Sequence, residues 1–339
     1  MNTYKLTLTL RGPLGTPLSA DTLWGHLCWG LVYHQGPSAL EEFLAATRSP
    51  PADGPPLILS DPMPAGFVPR PILPPLEPRQ EDDLIRSLLE RGRLPKDLPA
   101  QADTLSPLRR RRYMPLDDLR AVIDNLTAAE LLRAACDRGE GRRPSPPRME
   151  VATVAHNTID RLTSHTLAEG GLFFSPQTFT DGPVDFDVWV AGSLAPQRLR
   201  ELFVWGLEGG YGRDASTGKG DLGVGELTPA GLPAASRPNA VMTLGPCAPA
   251  ADDPTRGHWT IETRFGKLGG PWAAQDDPAG AGVFKHPVIF LTAGAVLAGP
   301  VRPFLGRLVE RVHPGRPEVV QYGLALTIPV RCPHFEEVP

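Results

Sequence analysis

A glycine-rich stretch at residues 209–226, GGYGRDASTGKGDLGVGE, has the composition of an anion-binding loop. Glycines let backbone N–H groups come close to a negative charge, and Arg or Lys side chains add positive charge. The anion could be a nucleotide phosphate or a nucleic-acid backbone, and the alternative is a surface connection without a ligand. The candidate binding residues are Gly210, Gly212, Arg213, Ser216, Thr217, Gly218, Lys219 and Gly220.

The stretch does not match the common nucleotide-binding motifs. Five residues separate Gly212 from Gly218 where a Walker A loop has four, and Gly220 stands where that motif has the Ser or Thr that binds magnesium. The stretch also runs from a predicted helix into a predicted strand, which reverses the element order of a P-loop or a dinucleotide fold. A loop that follows several phosphates of a nucleic-acid chain is therefore favoured over a nucleotide site.

A run of four arginines forms a second candidate site. Arg109, Arg110, Arg111 and Arg112 precede Tyr113. Such a cluster neutralises phosphates, and a Tyr ring or an Arg plane stacks on an unpaired base. The alternative interpretation is a solvated run of charge in a linker.

The segment HNTIDRLTSHT at residues 156–166 concentrates hydrogen-bonding groups directly after an apolar strand. This density predicts a binding site, although an Asp–Arg ion pair with a structural role would explain part of it. The polar residues are His156, Asn157, Asp160, Arg161, Thr163, Ser164 and His165.

Patterns for catalysis and metal binding do not occur. The sequence has no HExxH, GxSxG or CxxC motif, and its histidines lack metal-ligand spacing. The four cysteines are far apart, so we interpret them as buried small apolar residues. Asp185 and Asp187 are expected on the solvated face of a strand, and Asp21 is expected to cap a helix. We predict no catalytic residue, no metal and no cofactor.

The elements that must position these residues follow from hydrophobic periodicity. Alternation over 3–11 predicts a strand, and the next pattern predicts a helix capped by Ser19 or Asp21. A second helix and a strand at 57–60 complete the first half of a split βαβ unit. Further along, strand-like runs occur at 151–166, 171–179 and 183–192, followed by a predicted helix over 196–210 and a predicted strand at 222–228. The glycine-rich stretch therefore lies between this helix and this strand.

Residues 61–150 differ from their surroundings and are interpreted as an insertion without a core of its own. They are rich in proline and carry helical patterns at 80–92 and 117–138. Residues 91–148 contain 13 Lys or Arg against 8 Asp or Glu, whereas the whole chain has a net charge of −4. Beyond residue 230 the patterns are mostly strand-like, with one helical pattern at 304–312.

Composition indicates an ordinary soluble fold. The chain of 339 residues suits two domains, and its 41% hydrophobic and 21% charged residues are typical of globular proteins. Because the sequence has no apolar run of membrane-spanning length, we expect a cytoplasmic protein that does not enter a membrane.

Several motifs in a fixed order resemble one known family. They include LSADTLWGHLCWGL, LSDPMPAGFVPRPILP, HNTIDRLTSHTLAEGGLFF, GGYGRDASTGKGDLG, RFGKLGG and QYGLALTIPV. Nearly end to end, the chain resembles the RAMP-type subunit four of the Csm (type III-A) CRISPR interference complex. Each motif is weak alone, and the combination is specific.

The resemblance implies an α+β fold of two RRM-like (ferredoxin-like) RAMP domains, with a Pro/Arg-rich insertion in the first. Residues 1–230 would form the N-terminal domain, with the insertion at about 61–150 and the glycine-rich loop at 209–226. Residues 231–339 would form a degenerate RRM-like, mostly β domain. The family implies a non-catalytic subunit that grips the five-prime handle of the crRNA, and docks on the large polymerase-like CRISPR subunit and on an adjacent backbone RAMP subunit.

Carried onto this sequence, the resemblance places the glycine-rich loop, with Gly210, Gly212, Lys219 and Gly220, against the handle, and the 156–163 segment nearby. Arg70, in the FVPRP motif, and Arg109 to Arg112 would add phosphate contacts, with the insertion as a projecting thumb. One alternative is a RAMP endoribonuclease that processes precursor crRNA with His156 or His165 as general acid or base. A second alternative is an adaptor that binds only protein.

Overall fold

The computed structural model describes residues 1–137, 144–166, 171–273, 280 and 282–336. Parts of the predicted insertion, of the LTSHTLAEGG motif and of the predicted second domain lie outside these residues. The helices are α1 Ala20–Gln35, α2 Pro37–Arg48, α3 Pro78–Glu90, α4 Leu98–Arg110, α5 Leu116–Val122, α6 Ala128–Asp137 and α7 Pro196–Leu207.

The strands occur in both halves of the chain. They are β1 Asn2–Leu10, β2 Ile58–Leu59, β3 Met63–Pro64, β4 Phe67–Pro69, β5 Tyr113–Pro115, β6 Met149–Asn157, β7 Leu172–Thr180, β8 Val184–Gly192, β9 Leu222–Pro229, β10 Ala240–Thr243, β11 Arg256–His258, β12 Ile261–Arg264, β13 Val288–Leu291, β14 Val296–Ala298, β15 Phe304–Gly306 and β16 Leu324–Val330. The mixture of helices and antiparallel strands confirms the α+β class.

The first sheet has the strand order β2-β8-β1-β9, and β3 also pairs with β8. Every pairing is antiparallel. Leu6, Leu8 and Leu10 of β1 are fully buried, whereas the residues between them are partly exposed. This alternation is the one that the sequence predicts for 3–11.

Helices α1 and α7 pack against each other through glycine. A Cβ atom on Gly30 of α1 would lie 2.5 Å from the backbone N of Gly206 in α7, and a Cβ on Gly206 would lie 2.8 Å from Leu27. The two helix backbones therefore approach more closely than a side chain at position 30 or 206 would permit.

The second sheet, β11-β14-β10-β16-β15, joins the core of the first. Tyr322, Leu324 and Ile328 belong to the same buried cluster as Leu6 and Leu8. The Leu59 N–H donates to the hydroxyl of the fully buried Tyr322 (2.9 Å), which connects β2 with the C-terminal half. The two halves thus share one hydrophobic core.

The prediction of a helix at 304–312 is wrong. Residues 304–306 form β15, which pairs with β16 so that Phe304 faces Leu326. Gly306 has φ +90° and a Cβ there would meet the Gly323 carbonyl at 2.0 Å, and Val309 pairs with Gln321. Strand pairing outweighs the helical periodicity here, because β16 forms hydrogen bonds with 304–306 and Gln321 forms them with Val309.

The insertion contains more order than the sequence indicates. Helix α4 was not anticipated, and the predicted helix at 117–138 is two helices, because Thr127 accepts a hydrogen bond from the Glu130 N–H and starts α6 (3.2 Å). A small apolar cluster separate from the main core holds α3, α4 and α6 together, so the prediction that the insertion lacks its own core is wrong. Its buried residues are Leu84, Leu88, Leu94, Leu105, Leu108, Leu132 and Cys136.

Two other expectations concern buried groups. All four cysteines are buried, as expected. Asp187 is also buried, at 4% exposure, because the turn after β3 covers it and the Gly66 N–H donates to its carboxylate (2.9 Å). Asp185, on the same face of β8, is exposed as expected, so the prediction of a solvated position is wrong for Asp187 alone. Within the described ranges, no helix has both the length and the apolar character needed to cross a membrane.

The shared core predicts a cost for removing the Tyr322 hydroxyl. Tyr322→Phe leaves the Leu59 N–H without its partner inside the core, so the free energy of unfolding should fall by about 1–3 kcal/mol in urea denaturation. Tyr33→Phe is the matched control, because Tyr33 is 63% exposed. Equal effects of the two substitutions would contradict the connection between the halves.

Candidate nucleic-acid interface

The N-terminal end of α1 is buried at the centre of the molecule. Its first N–H groups need partners that water cannot supply. The Ser19 N–H donates to the Tyr211 hydroxyl (3.0 Å), and the Ala20 N–H donates to Asp61 Oδ1 (2.8 Å). Tyr211 is fully buried and Asp61 is 2% exposed. One partner comes from the glycine-rich stretch and the other from the beginning of the insertion.

Asp21 does not cap α1, contrary to prediction. Ser19, the other predicted cap, occupies the N-cap position, but its side chain makes no capping hydrogen bond, and Asp21 Oδ1 accepts from Arg264 Nη1 (2.5 Å). Asp21 Oδ2 accepts from Gln321 Nε2 (2.9 Å). Because Asp21 lies beyond the cap position, its side chain reaches the C-terminal half. It thereby connects the start of α1 with β12.

The glycine-rich stretch is a folded turn and not an open cradle of amides. Its N–H groups at 210–213 and 217–220 all donate within the protein. The Gly220 N–H binds the Pro13 carbonyl (2.8 Å), and the Gly212 N–H binds His26 Nε2 (2.9 Å). These amides are therefore used inside the protein, and RNA contact by the side chains of this stretch stays a prediction. Glycine is needed because the turn bends tightly: Gly220 has φ +65°, and a Cβ there would lie 2.0 Å from the Tyr211 carbonyl oxygen.

Lys219 is buried inside the same turn. Its Nζ lies 2.6 Å from Asp214 Oδ2, and only 8% of its side chain is exposed. The Lys219 hydrogen bond, and then its charge, hold the pKa of the Asp214 carboxyl below its usual value. The ammonium is thus occupied by the turn itself and does not face solvent. The exposed residues of the stretch are Gly209, Arg213, Ser216, Thr217, Gly218, Asp221 and Glu226.

The antiparallel hairpin β6–β7 lies beside the glycine-rich turn and the segment before α1. Arg213 Nη2 donates to the Pro176 carbonyl (2.9 Å), and Leu14 pairs with Thr178. His156 lies close enough to Asp214 for their charges to interact. Its Nε2 is 2.9 Å from Gln177 Nε2 and its ring stacks on Phe173.

The remaining polar residues of the 156–166 segment lie at the end of this hairpin. Asp160 Oδ1 accepts from the N–H groups of Leu162 (2.7 Å) and Thr163 (3.2 Å), which closes the end turn. Arg161 and Asn157 are exposed. An Asp160–Arg161 ion pair, the structural alternative to a binding site, is not among the ion pairs of the described residues. The structure therefore brings His156 to the glycine-rich turn and leaves Arg161 at the far end.

The arginines of the insertion line a cleft of about 610 Å³. Strand β4 pairs with β5, and the Arg70 N–H donates to the Arg112 carbonyl (2.9 Å), which brings residues 42 positions apart to one edge. Arg109 and Arg111 also line the cleft. The opposite wall comes from the C-terminal half and includes Arg264. Arg110 is exposed outside it.

The cleft arginines differ in how they are paired. Arg109 Nη2 lies 2.6 Å from Glu81, and Arg70 Nη1 donates to the Arg109 carbonyl (2.7 Å). Burial, and then the charge of Arg109, lower the pKa of the Arg70 guanidinium. Within the described parts of the chain, Arg111 and Arg112 form no ion pair with a carboxylate. These two cations are therefore available to a ligand.

Sequence reasoning missed the residues that complete the cleft from other parts of the chain. Asp61 lies directly after the predicted strand at 57–60, and Arg264 lies in the RFGKLGG motif, but neither spacing indicates contact. Burial raises the pKa of the Asp61 carboxyl to about 6, although the Ala20 N–H and the charges of Arg264 and Arg112 lower it. Within the described residues, no group of three or more His, Cys, Asp or Glu could hold a metal ion.

The glycine-rich turn predicts a sharp position dependence for alanine. Gly220→Ala imposes a positive φ and a clash with Tyr211, so it should lower the free energy of unfolding by at least about 1–3 kcal/mol. Gly209→Ala is the control, because a Cβ there meets no atom within 4 Å. The measurement is urea denaturation of both variants. A smaller loss for Gly220→Ala than for Gly209→Ala would contradict the geometry.

Asp61 predicts a pH-dependent stability. Because its folded pKa of about 6 exceeds its ordinary value of 3.8, the folded state binds the proton more tightly. That contribution is complete below pH 3.8 and is lost as the pH rises through about 6. Between about pH 4 and 7, the free energy of unfolding of the native protein should therefore fall by about 3 kcal/mol relative to that of Asp61→Asn.

The measurement is urea denaturation of the native protein and Asp61→Asn across this pH range. Asn keeps an oxygen that accepts from Ala20, and other titrating groups, including His26, are common to both proteins. Asp181→Asn, at an exposed position, is the control. Parallel pH profiles for the native protein and Asp61→Asn would show that the carboxyl titrates normally.

Several solved structures have a similar fold. The model matches crystal structures of a Csm1–Csm4 cassette in complex with pppApA (TM-score 0.53, 15% identity), with AMPPNP (0.52, 16%) and with cA4 (0.51, 16%). The matches cover 97–98% of this chain and 99% of the other. No family model matches the sequence, and no curated protein matches it. The chain therefore has the fold of a chain in the Csm1–Csm4 cassette, which confirms at the level of the fold the resemblance to Csm subunit four.

Proposed function

We propose that this protein is a non-catalytic RNA-binding subunit of a type III-A CRISPR effector complex. It anchors the five-prime handle of the crRNA and docks on the large polymerase-like subunit and an adjacent RAMP subunit. The observation that carries the proposal is the likeness in fold to a chain of the Csm1–Csm4 cassette over nearly the whole length of both chains. The order of the sequence motifs supports the same family.

The topology of the first sheet supports an RRM-like N-terminal domain. The crossover β1–α1–α2–β2 leaves a gap that β8 fills, and the crossover β8–α7–β9 places β9 on the other side of β1. Two interleaved βαβ crossovers are the split arrangement of a ferredoxin-like unit. The second sheet is antiparallel, and the described residues of 231–339 form no α-helix. Both features fit a degenerate, mostly β RRM-like domain.

The arginine cleft is the surface best suited to RNA. Arg111 and Arg112 form no ion pair with a described carboxylate, and Arg110 is exposed beside them. Arginine presents a planar guanidinium that pairs with phosphate and stacks on bases. A local cationic surface reconciles RNA binding with a net charge of −4, because phosphate contacts depend on the nearby groups.

Two exposed apolar surfaces support docking on protein partners. On the hairpin β6–β7, Val151, Leu172 and Phe174 are 61–69% exposed and lie on one face. On β12–β13, Ile261 and Ile289 are 63% and 61% exposed. Clustered apolar residues of this kind are unusual on a free monomer and are typical of interfaces.

The setting of His156 supports binding over catalysis. Its Nε2 lies 3.1 Å from the Ser175 hydroxyl and 2.9 Å from the Gln177 amide, and its ring stacks on Phe173. Neighbours of this kind hold the ring in place by hydrogen bonds and do not orient it as a carboxylate would in a catalytic pair.

The proposal predicts that Arg111→Ala combined with Arg112→Ala weakens binding of a single-stranded repeat-handle RNA and makes binding less sensitive to salt. Each lost phosphate contact should reduce the slope of log affinity against log salt by about 0.7, so two contacts give about 1.4. Fluorescence anisotropy at several salt concentrations measures both quantities.

The control variant is Arg86→Ala, which removes an exposed arginine of α3 that pairs with Asp83. It should leave affinity and slope unchanged. Absence of RNA binding by the native protein would overturn the proposal in favour of a protein-only adaptor. Specific cleavage of repeat RNA that His156→Ala abolishes would instead establish an endoribonuclease.

A further inference from the structure

The arginine cleft has the form of a pocket with two unlike walls. Its floor is the segment after β4, where the Ile72 N–H donates to the Gly294 carbonyl (2.8 Å) and joins the insertion to the C-terminal half. One wall is apolar, with the half-buried Ile72 and Leu73 and the buried Leu132. The other wall is polar and comes from Glu262 and Arg264 of β12 and from Thr260 and Thr292, which lie just before β12 and just after β13.

The size of the cleft limits what it can hold. A volume of about 610 Å³ lies in the range of sites for single small ligands. It is too small for an extended chain of several nucleotides. We propose that the cleft receives one nucleotide whose base is turned out of a bound RNA strand, and that it selects a base with an exocyclic amino group. The remaining strand lies outside.

The arginines fix the direction in which the nucleotide enters. Arg111 and Arg112 stand at the insertion side of the cleft without an ion-pair partner among the described residues, so the backbone phosphates lie there. The base then extends toward the interior, past Ile72 and Leu73. Unstacked RNA bases are commonly bound in this way, between apolar or planar side chains and polar groups that contact their edges.

The polar wall determines which base fits. Glu262 Oε1 pairs with Arg264 Nη2 (2.7 Å), and the Glu262 side chain is 34% exposed, so its second oxygen can accept a hydrogen bond. The hydroxyls of Thr260 and Thr292 lie 2.6 Å apart and both line the cleft. A carboxylate accepts hydrogen bonds and donates none, so it suits the amino group of adenine, cytosine or guanine and not the O4 of uracil.

The inference rests on the proposed RNA binding, and a comparison of homopolymers tests it separately. The probes are labelled oligoadenylate and oligouridylate of roughly 12 nucleotides, in the size range of a single-stranded binding site. The native protein should bind oligoadenylate at least about fivefold more tightly, the lower end of what one well-placed pair of base contacts contributes. Fluorescence anisotropy at constant salt gives the two affinities.

Two variants address the cleft itself. Ala293→Phe fills it from a half-buried lining position, and Glu262→Gln adds a donor that suits uracil. Both should reduce the ratio of the two affinities toward one while the dependence on salt stays unchanged. Ala102→Phe, on an exposed position of α4 away from the cleft, is the matched control and should keep the native ratio.

The outcomes separate the inference from the proposed function. Equal affinities in the native protein, or a preference for oligoadenylate that both variants retain, would overturn the pocket while RNA binding stands. Failure to bind either RNA would overturn both. AMP is the probe for a free nucleotide: it should compete only weakly, because it lacks the neighbouring phosphates, and AMP that binds more tightly than oligoadenylate would overturn the assignment to a strand.

Discussion

The burial of the N-terminal end of α1 is the constraint on which the rest of the structure depends. A helix start exposes N–H groups that must be paired when water is excluded. Here the partners are Asp61 from the insertion boundary and Tyr211 from the glycine-rich stretch, while Arg264 of the C-terminal half pairs with Asp21. Three parts of the chain that are far apart in sequence thus meet at one helix end. Their positions relative to one another follow from these bonds.

The glycine-rich turn and the arginine cleft have different roles in this arrangement. The glycine-rich turn lies against the helix end, where its amides at 211–213 and 217–220 donate within the turn or to residues 13–26, and Lys219 pairs with Asp214. In the arginine cleft, Arg111 and Arg112 have no carboxylate partner in the described residues. The turn therefore supports the scaffold, and the cleft carries the unpaired charge. Glycine density alone would have suggested the opposite division.

The proposed function depends more on the positions of the side chains than on the reactivity of any single one. A strand of RNA is held by several modest phosphate and stacking contacts, each of which depends on local geometry. The pairing of β4 with β5 supplies that geometry, because it brings Arg70 beside Arg112. The small core of the insertion, built on residues such as Leu84 and Leu108, then fixes α4 and the arginines at its end.

The sequence by itself determined the elements whose periodicity agrees with their packing: β1, α1, α2, α7 and β9, and with them the split βαβ order and the α+β class. It also identified the arginine run as a cation cluster. Only the tertiary structure decided which charges are free, since the Lys219–Asp214 pair forms only in the folded turn and the burial of Asp187 depends on Gly66, which is distant in sequence. The folded chain also forms a strand at 304–306, where the local pattern favours a helix, because hydrogen bonds to β16 outweigh local preference. Periodicity reports one segment at a time, whereas burial and ion pairing depend on contacts between segments, and these exist only after the chain has folded.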